Sequence, residues 1–315
     1  MMDAPIDFGY TQSMRKIGLL FPGQGTQCIG MGQSLCEHDP WVRERYAEAS
    51  TILGYDLEKL CAEGPLEQLT DSRYCQPALF VHGFVAARVL QSLLQDTTIA
   101  VSAGLSIGSL VALAVAGVYD FAAGVRIAQK RGALIQEACK RTRGGMASIL
   151  GVSVEQVQSL CQVTGVEMSN VNCPGQIVIS GEKDRVDTAV SRTPELTGGR
   201  AIPLNVAGAF HSSLMTSACP PFKEFLEPLE FHPMQWPVIS NVTGQVIEDV
   251  SHIKSLLVQQ IVSPVLWWQC MQTAASLGIS EFYQCGPGKT LIGMAKRIDP
   301  NLVVRPFGDY DDWNG

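Results

Sequence analysis

The chain has 315 residues, 46% of them hydrophobic and 17% charged, which is enough apolar material for a large domain carrying a smaller one and too much for global disorder. Its formal net charge of -7 argues against a broad nucleic-acid-binding face, which needs clustered positive charge. The ten cysteines contain no C-x-x-C pair and lie at least eight residues apart, so they read as free, mostly buried thiols of a reducing cytoplasm and not as a zinc site.

Met1 to Tyr10 carries Asp3 and Asp7 and lacks a continuous apolar stretch, so it does not read as a signal peptide. Ile17–Phe21 is a short apolar run closed by Pro22-Gly23, which predicts a buried strand entering a loop. A helix is expected from about Gln76 to Leu94, and a strand from Thr98 to Ala103 that ends at Gly104. Leu110 to Ala116 is apolar all round, as in a helix buried at a domain centre. The longest apolar run, Leu110 to Val118 counting Gly117, is far too short to cross a bilayer. A further helix is expected over Ala122 to Cys139. Strands alternating with helices predict an α/β domain with a largely parallel sheet.

The rhythm then changes. Gly144–Gly151 reads as a strand, followed by a helix over Ser153–Gln162 with Ser153 as cap and Gln156 at the capping-box position. Strands fit Val166–Asn172 and Gln176–Ser180, then a helix over about Glu182–Val190 and a strand over Ala201–Val206. This β-α-β-β-α-β order is that of a ferredoxin-like unit. It predicts a small domain over 142–204, inserted into a large α/β domain formed by 1–141 and 205–315. The large domain resumes with a strand at Pro237–Asn241, a helix at Trp267–Leu277, a strand at Glu281–Cys285 and the Gly286-Pro287-Gly288 turn.

Gly104-Leu105-Ser106-Ile107-Gly108 fits G-x-S-x-G between a predicted strand and a predicted helix. In that context the serine sits on a sharp turn with its hydroxyl exposed, and the next backbone N–H, that of Ile107, faces a developing oxyanion. The pattern alone arises by chance in roughly one chain of this length in ten, so the strand–turn–helix context carries the inference. Of the five histidines, His38, His232 and His252 read as surface residues, and His82 as a packed or surface helix residue. His211 follows a strand on a small-residue loop, and spacing alone leaves open whether it is the serine's base. By the same standard Arg131 reads as a solvated helix residue, like Arg126 and Lys130.

Six motifs occur in order from about Lys16 to Ile298. They are Phe21-Pro22-Gly23-Gln24-Gly25-Thr26-Gln27, the Ser106 turn, Lys130-Arg131-Gly132, Asn172-Cys173-Pro174-Gly175-Gln176, Ala209-Phe210-His211-Ser212 and Gly286-Pro287-Gly288-Lys289. Together they resemble the malonyl-CoA:acyl carrier protein transacylases, whose fold is a hydrolase-like α/β domain with a ferredoxin-like insert. The resemblance implies Ser106 as acyl-carrying nucleophile, His211 as its base, and the carbonyl oxygen of Gln260 as the group orienting the histidine. It implies an oxyanion hole from the N–H groups of Gln24 and Ile107, with Arg131 pairing with the malonyl carboxylate. Asn172 and Phe210 are implied as substrate-binding residues, and Phe210 as one that crowds a branched acyl chain. Malonyl-CoA would be the substrate and acyl carrier protein the partner, with no metal and no bound cofactor, in a cytoplasmic monomer without nucleic-acid or membrane partners. The product would feed fatty-acid synthesis or a polyketide pathway. Carrier proteins are generally acidic, so a basic patch is expected among Lys183, Arg185, Lys289, Lys296 and Arg297.

Three positions depart from the family pattern. Leu105 stands where histidine is usual, Ser109 where glutamate is usual, and Ile135 where methionine is common. Ser109 removes a negative charge from the first turn of the central helix, and the sequence does not say what replaces its contacts. The main rival is a serine hydrolase of the same fold, against which Arg131 weighs. A catalytically dead scaffold conflicts with intact Ser106, His211 and Arg131. A P-loop at Gly288-Lys289-Thr290 is excluded by Tyr283, which stands where that motif needs glycine.

Overall fold

The computed structural model describes residues 14–94 and 96–313. Residues 1–10, read above as no signal peptide, lie outside the described residues. The chain opens with β1 (Arg15–Phe21) and then five helices, α1 (Gln33–His38), α2 (Pro40–Leu53), α3 (Leu57–Glu63), α4 (Leu66–Thr70) and α5 (Ser72–Leu93). Next come β2 (Thr97–Gly104), α6 (Gly108–Val115) and α7 (Phe121–Arg141). The inserted unit is β3 (Gly144–Leu150), α8 (Val154–Thr164), β4 (Glu167–Cys173), β5 (Gln176–Glu182), α9 (Lys183–Thr197) and β6 (Arg200–Pro203). The remainder is α10 (Cys219–Leu226), β7 (Val238–Ile239), α11 (Ile253–Gln259), α12 (Trp267–Ser276), β8 (Glu281–Cys285), α13 (Thr290–Ile298) and β9 (Val303–Phe307).

The large sheet has the order β7-β2-β1-β8-β9 with every pairing parallel. Helix α6 packs against β1 and β2 with all eight residues buried, which explains why Leu110–Val115 is apolar on every face. The small sheet has the order β4-β5-β3-β6 and is antiparallel throughout, the arrangement of a ferredoxin-like unit. Helices α8 and α9 cover it over a separate apolar core that includes Ile149, Val157, Leu160, Ile177 and Val186. Ser153 caps α8 and exchanges hydrogen bonds with Gln156, the reciprocal box expected there. Strand β4 also ties the small unit to the large one: the Val171 N–H donates to the Val265 carbonyl and the Val265 N–H to the Ser169 carbonyl, both at 2.8 Å. Arg297 adds bonds to Gln176 and to the Pro174 carbonyl.

Several boundaries differ from expectation. Helix α9 runs to Thr197, past Pro194, because Val186, Ala189, Thr193 and Thr197 form one buried face at helical spacing. Strand β6 stops at Pro203, and β7 keeps only two residues because the chain turns back at Gly244. The helices between 33 and 70, α10, α11, α13 and strand β9 were not foreseen. Helices α1, α3 and α4 are five to seven residues long, too short for periodicity to register, and packing holds them in place. All ten cysteines are free, and all but Cys28, Cys161 and Cys219 are buried. Among the described residues no helix is long and apolar enough to cross a membrane.

Candidate active site

The loops at the carboxyl ends of the parallel strands meet in a cleft between the two units, the place where open α/β sheets put their ligands. Strand β1 delivers the Pro22–Gln27 loop, and the Leu105 N–H donates to the Phe21 carbonyl at 2.9 Å, which draws that loop against the end of β2. At the turn from β2 into α6, Ser106 takes a left-handed backbone with φ of 53°, a conformation costly for a non-glycine residue. The flanking glycines make room for it. A Cβ on Gly104 would lie 2.0 Å from the Gly108 backbone, and one on Gly108 would lie 2.2 Å from the Phe21 carbonyl oxygen. Both positions of the G-x-S-x-G pattern are therefore sterically closed to any side chain.

His211 lies on the loop that returns from the small unit and also adopts a left-handed backbone, with φ of 56°. Its Nε2 is 2.8 Å from Ser106 Oγ, and its Nδ1 is 2.8 Å from the backbone carbonyl oxygen of Gln260, at the end of α11. A carbonyl can only accept, so Nδ1 carries the proton and Nε2 is left as the acceptor for the serine hydroxyl. Burial, and next the positive charge of Arg131, depress the imidazole pKa from 6.5 to about 4, so the ring is neutral at physiological pH.

Arg131 is 1% exposed, which overturns the solvated reading that spacing suggested. Gly132 accounts for the position: a Cβ there would lie 2.3 Å from the Ser72 carbonyl oxygen, so α7 packs on the start of α5 and brings Arg131 beside Gln76. The guanidinium donates to Gln76 Oε1 at 2.8 Å, to Gln260 Oε1 at 2.9 Å and to Ser106 Oγ at 3.2 Å. Each of these acceptors is neutral. Burial lowers the arginine pKa to about 10, still well above physiological pH, so a full positive charge sits in the cleft floor.

Gln76, Ser109 and Asn241 were missed as site residues. Ser109 donates to the Ser106 carbonyl and accepts from Gln260 Nε2, at 2.8 and 2.7 Å, which are the contacts that the sequence left unexplained. Asn241, just beyond β7, accepts from Gln260 Nε2 at 2.9 Å and donates to the Gly104 carbonyl at 2.8 Å. Asn241 stands in no motif noted above, and the pairing of β7 with β2 brings it to the Ser106 turn.

The cleft has a volume of about 410 Å³. Gln24, Leu105, Ile135, Asn172, Phe210 and Met215 are among its lining residues. Gln24 is among the residues at the cleft wall, and its side chain reaches Ser72 and the Thr70 carbonyl. The Ile107 side chain is fully buried in the core, so only its backbone can serve the cleft. Asn172 is buried, and among the described residues its Oδ1 has no hydrogen-bond partner. A cavity of about 520 Å³ beside Arg88 and His232 contains none of these groups. His38, His232 and His252 are exposed, as their surroundings predicted, and His82 is fully buried against Tyr46.

Of the expected basic patch, Lys183 pairs with Asp187, Arg185 with Glu182, and Arg297 is held by Gln176 and Pro174. Among the described residues, Lys289 and Lys296 have no carboxylate at ion-pair distance.

The acyl transferase domain family model matches residues 19–284. The chain is 38% identical over 301 residues to the malonyl CoA-acyl carrier protein transacylase of Bacillus subtilis (strain 168), covering 94% of each chain. It is 36% identical to the protein of that name from Salmonella typhimurium, covering 94% of this chain and 97% of that one. The crystal structure of malonyl-CoA:acyl carrier protein transacylase from Xanthomonas oryzae pv. oryzae superposes with a TM-score of 0.91 at 38% identity, covering 97% of this chain and 98% of that one. A malonyl-transacylase solved in complex with its type II PKS acyl-carrier protein superposes at 0.90 and 35% identity, covering 94% and 97%.

Proposed function

The chain belongs to the acyl transferase domain family, and from that premise we propose that it transfers a malonyl group from malonyl-CoA to the phosphopantetheine thiol of an acyl carrier protein. The observation that carries the substrate assignment is Arg131: a buried cation beside the nucleophile, hydrogen-bonded only to neutral oxygens. A buried charge without a counter-charge is costly, and a carboxylate supplied by the substrate relieves that cost. A planar guanidinium also offers two parallel bonds to it.

The reaction runs in two matched halves. Ser106 Oγ attacks the thioester carbonyl carbon while its proton passes to His211 Nε2. The carbonyl oxygen becomes an oxyanion, for which the N–H groups of Gln24 and Ile107 are the proposed donors. The C–S bond then breaks, and the proton on Nε2 goes to the departing CoA sulfur. In the second half the carrier thiol gives its proton to Nε2 and attacks the malonyl ester, and Ser106 leaves with that proton. The Gln260 carbonyl holds the ring in the required tautomer and receives the Nδ1–H of the transient imidazolium, as a third triad member would. Asn172 Oδ1 offers an acceptor to an amide N–H of the pantetheine arm, and Phe210 narrows the acyl end of the cleft.

We assign the malonyl-carrier product to fatty-acid synthesis. The likeness to a transacylase bound to a type II PKS carrier supports a polyketide pathway as the second reading, with the same chemistry. Intact-protein mass after brief exposure to malonyl-CoA tests the proposal. A malonyl adduct should form, be absent in Ser106→Ala, weaken in Arg131→Ala and discharge onto added carrier protein. An adduct that decays in buffer at the same rate with and without the carrier would identify a hydrolase.

A further inference from the structure

The side-chain amide of Gln260 has one orientation that satisfies all its neighbours. The Ser109 hydroxyl spends its proton on the Ser106 carbonyl, so it faces Gln260 as an acceptor. Asn241 must turn Nδ2 toward the Gly104 carbonyl, so its Oδ1 also faces Gln260 as an acceptor. Two acceptors claim the two protons of Gln260 Nε2, and Oε1 is left to face Arg131. Ser109, Asn241 and Gln260 are 6%, 1% and 3% exposed, so water cannot readily stand in for a lost partner. Both acceptors are anchored on carbonyls of the nucleophile turn itself, one on each side of Leu105.

We infer that Ser109 and Asn241 are positioning residues for the acyl carboxylate. They lock the Gln260 amide so that its oxygen, not its NH2 group, meets Arg131, and they thereby fix the guanidinium relative to Ser106. With either lost, one of the two Nε2 protons has no acceptor and the hold on the amide weakens, and an NH2 group turned toward Arg131 would repel the guanidinium. The inference rests on the malonyl-transfer reading. It places the effect on the carboxylate receptor through the Gln260 side chain, separately from the Gln260 backbone carbonyl that serves His211.

The experiment compares rates of Ser106 malonylation by malonyl-CoA with rates of labelling by an alkyl fluorophosphonate, which needs the Ser106–His211 pair but carries no carboxylate. Wild-type malonylation in the same series reports on the function itself. Ser109→Ala and Asn241→Ala should each reduce malonylation about tenfold more than labelling, with the loss carried by KM. In a Gln260→Ala background neither change should add to the loss, because both act through that side chain. Equal loss in the two reactions, no loss, or full additivity with Gln260→Ala overturns the assignment. Should one variant fail to fold, the other carries the same test.

Discussion

Arg131 and Gln260 meet side chain to side chain at 2.9 Å, while the backbone carbonyl of the same glutamine accepts from His211. One residue thus links the buried cation to the imidazole of His211, and both converge on Ser106 Oγ, at 3.2 Å and 2.8 Å. The site is a closed set of bonds, and on the proposed roles acyl recognition and proton transfer share a support in it.

That geometry sets the cost of changing the cation. Arg131→Lys keeps a charge but loses the planar fork that holds Gln76, Gln260 and a carboxylate together. Steady-state kinetics should show kcat/KM for malonyl-CoA reduced by about 10²–10³-fold, or about 3–4 kcal/mol, with KM taking most of the change. A loss below threefold would mean that the guanidinium geometry is unimportant.

The pH dependence of acylation follows from the depressed His211 pKa of about 4. The base form persists down to that pH, so the acid limb of kcat/KM should lie near 4, well below the usual histidine value. Arg131→Ala removes one of the causes of the depression, so its acid limb should move to higher pH. Single-turnover malonylation across pH 3.5 to 8 reads both limbs; an unmoved limb in the variant would show that Arg131 does not act on the imidazole.

Stability should fall on the acid side for a related reason. Burial holds His82 and His211 neutral in the fold down to about pH 4, whereas both charge near 6.5 once unfolded. Between those values the unfolded chain binds more protons, so stability is full above about 6.5 and declines toward 4. Each histidine contributes on the order of 3 kcal/mol to that decline. Urea unfolding of His82→Gln should show a shallower loss over this window than the parent; parallel curves would refute the assignment.

The nucleophile turn should tolerate no side chain. A Cβ at Gly104 or Gly108 would meet backbone atoms, which cannot rotate away as a flexible side chain can. Gly104→Ala and Gly108→Ala should each destabilise by about 3 kcal/mol in urea and slow Ser106 labelling as well. A change within about 0.5 kcal/mol would show that the turn can open without penalty.

The sequence by itself determined what depends on residues close along the chain. The two glycines around Ser106 report a turn with no room for a Cβ, and Ser153 with Gln156 reports a helix start, because both constraints are satisfied within a few residues. The alternation of strands and helices likewise carried the parallel sheet and the ferredoxin-like insert, since hydrophobic period is a local property. Tertiary structure alone decided the company of Arg131. On its helix it looks like Arg126, which is exposed; it is buried because Gly132 lets α7 press against α5. Its partners Gln76 and Gln260 lie 55 and 129 residues away, and Ser109 lies 151 residues from the Gln260 amide it orients. Which polar groups pair in a dry cleft is settled only when the chain closes, because only then does the fold bring groups distant in sequence within hydrogen-bond reach.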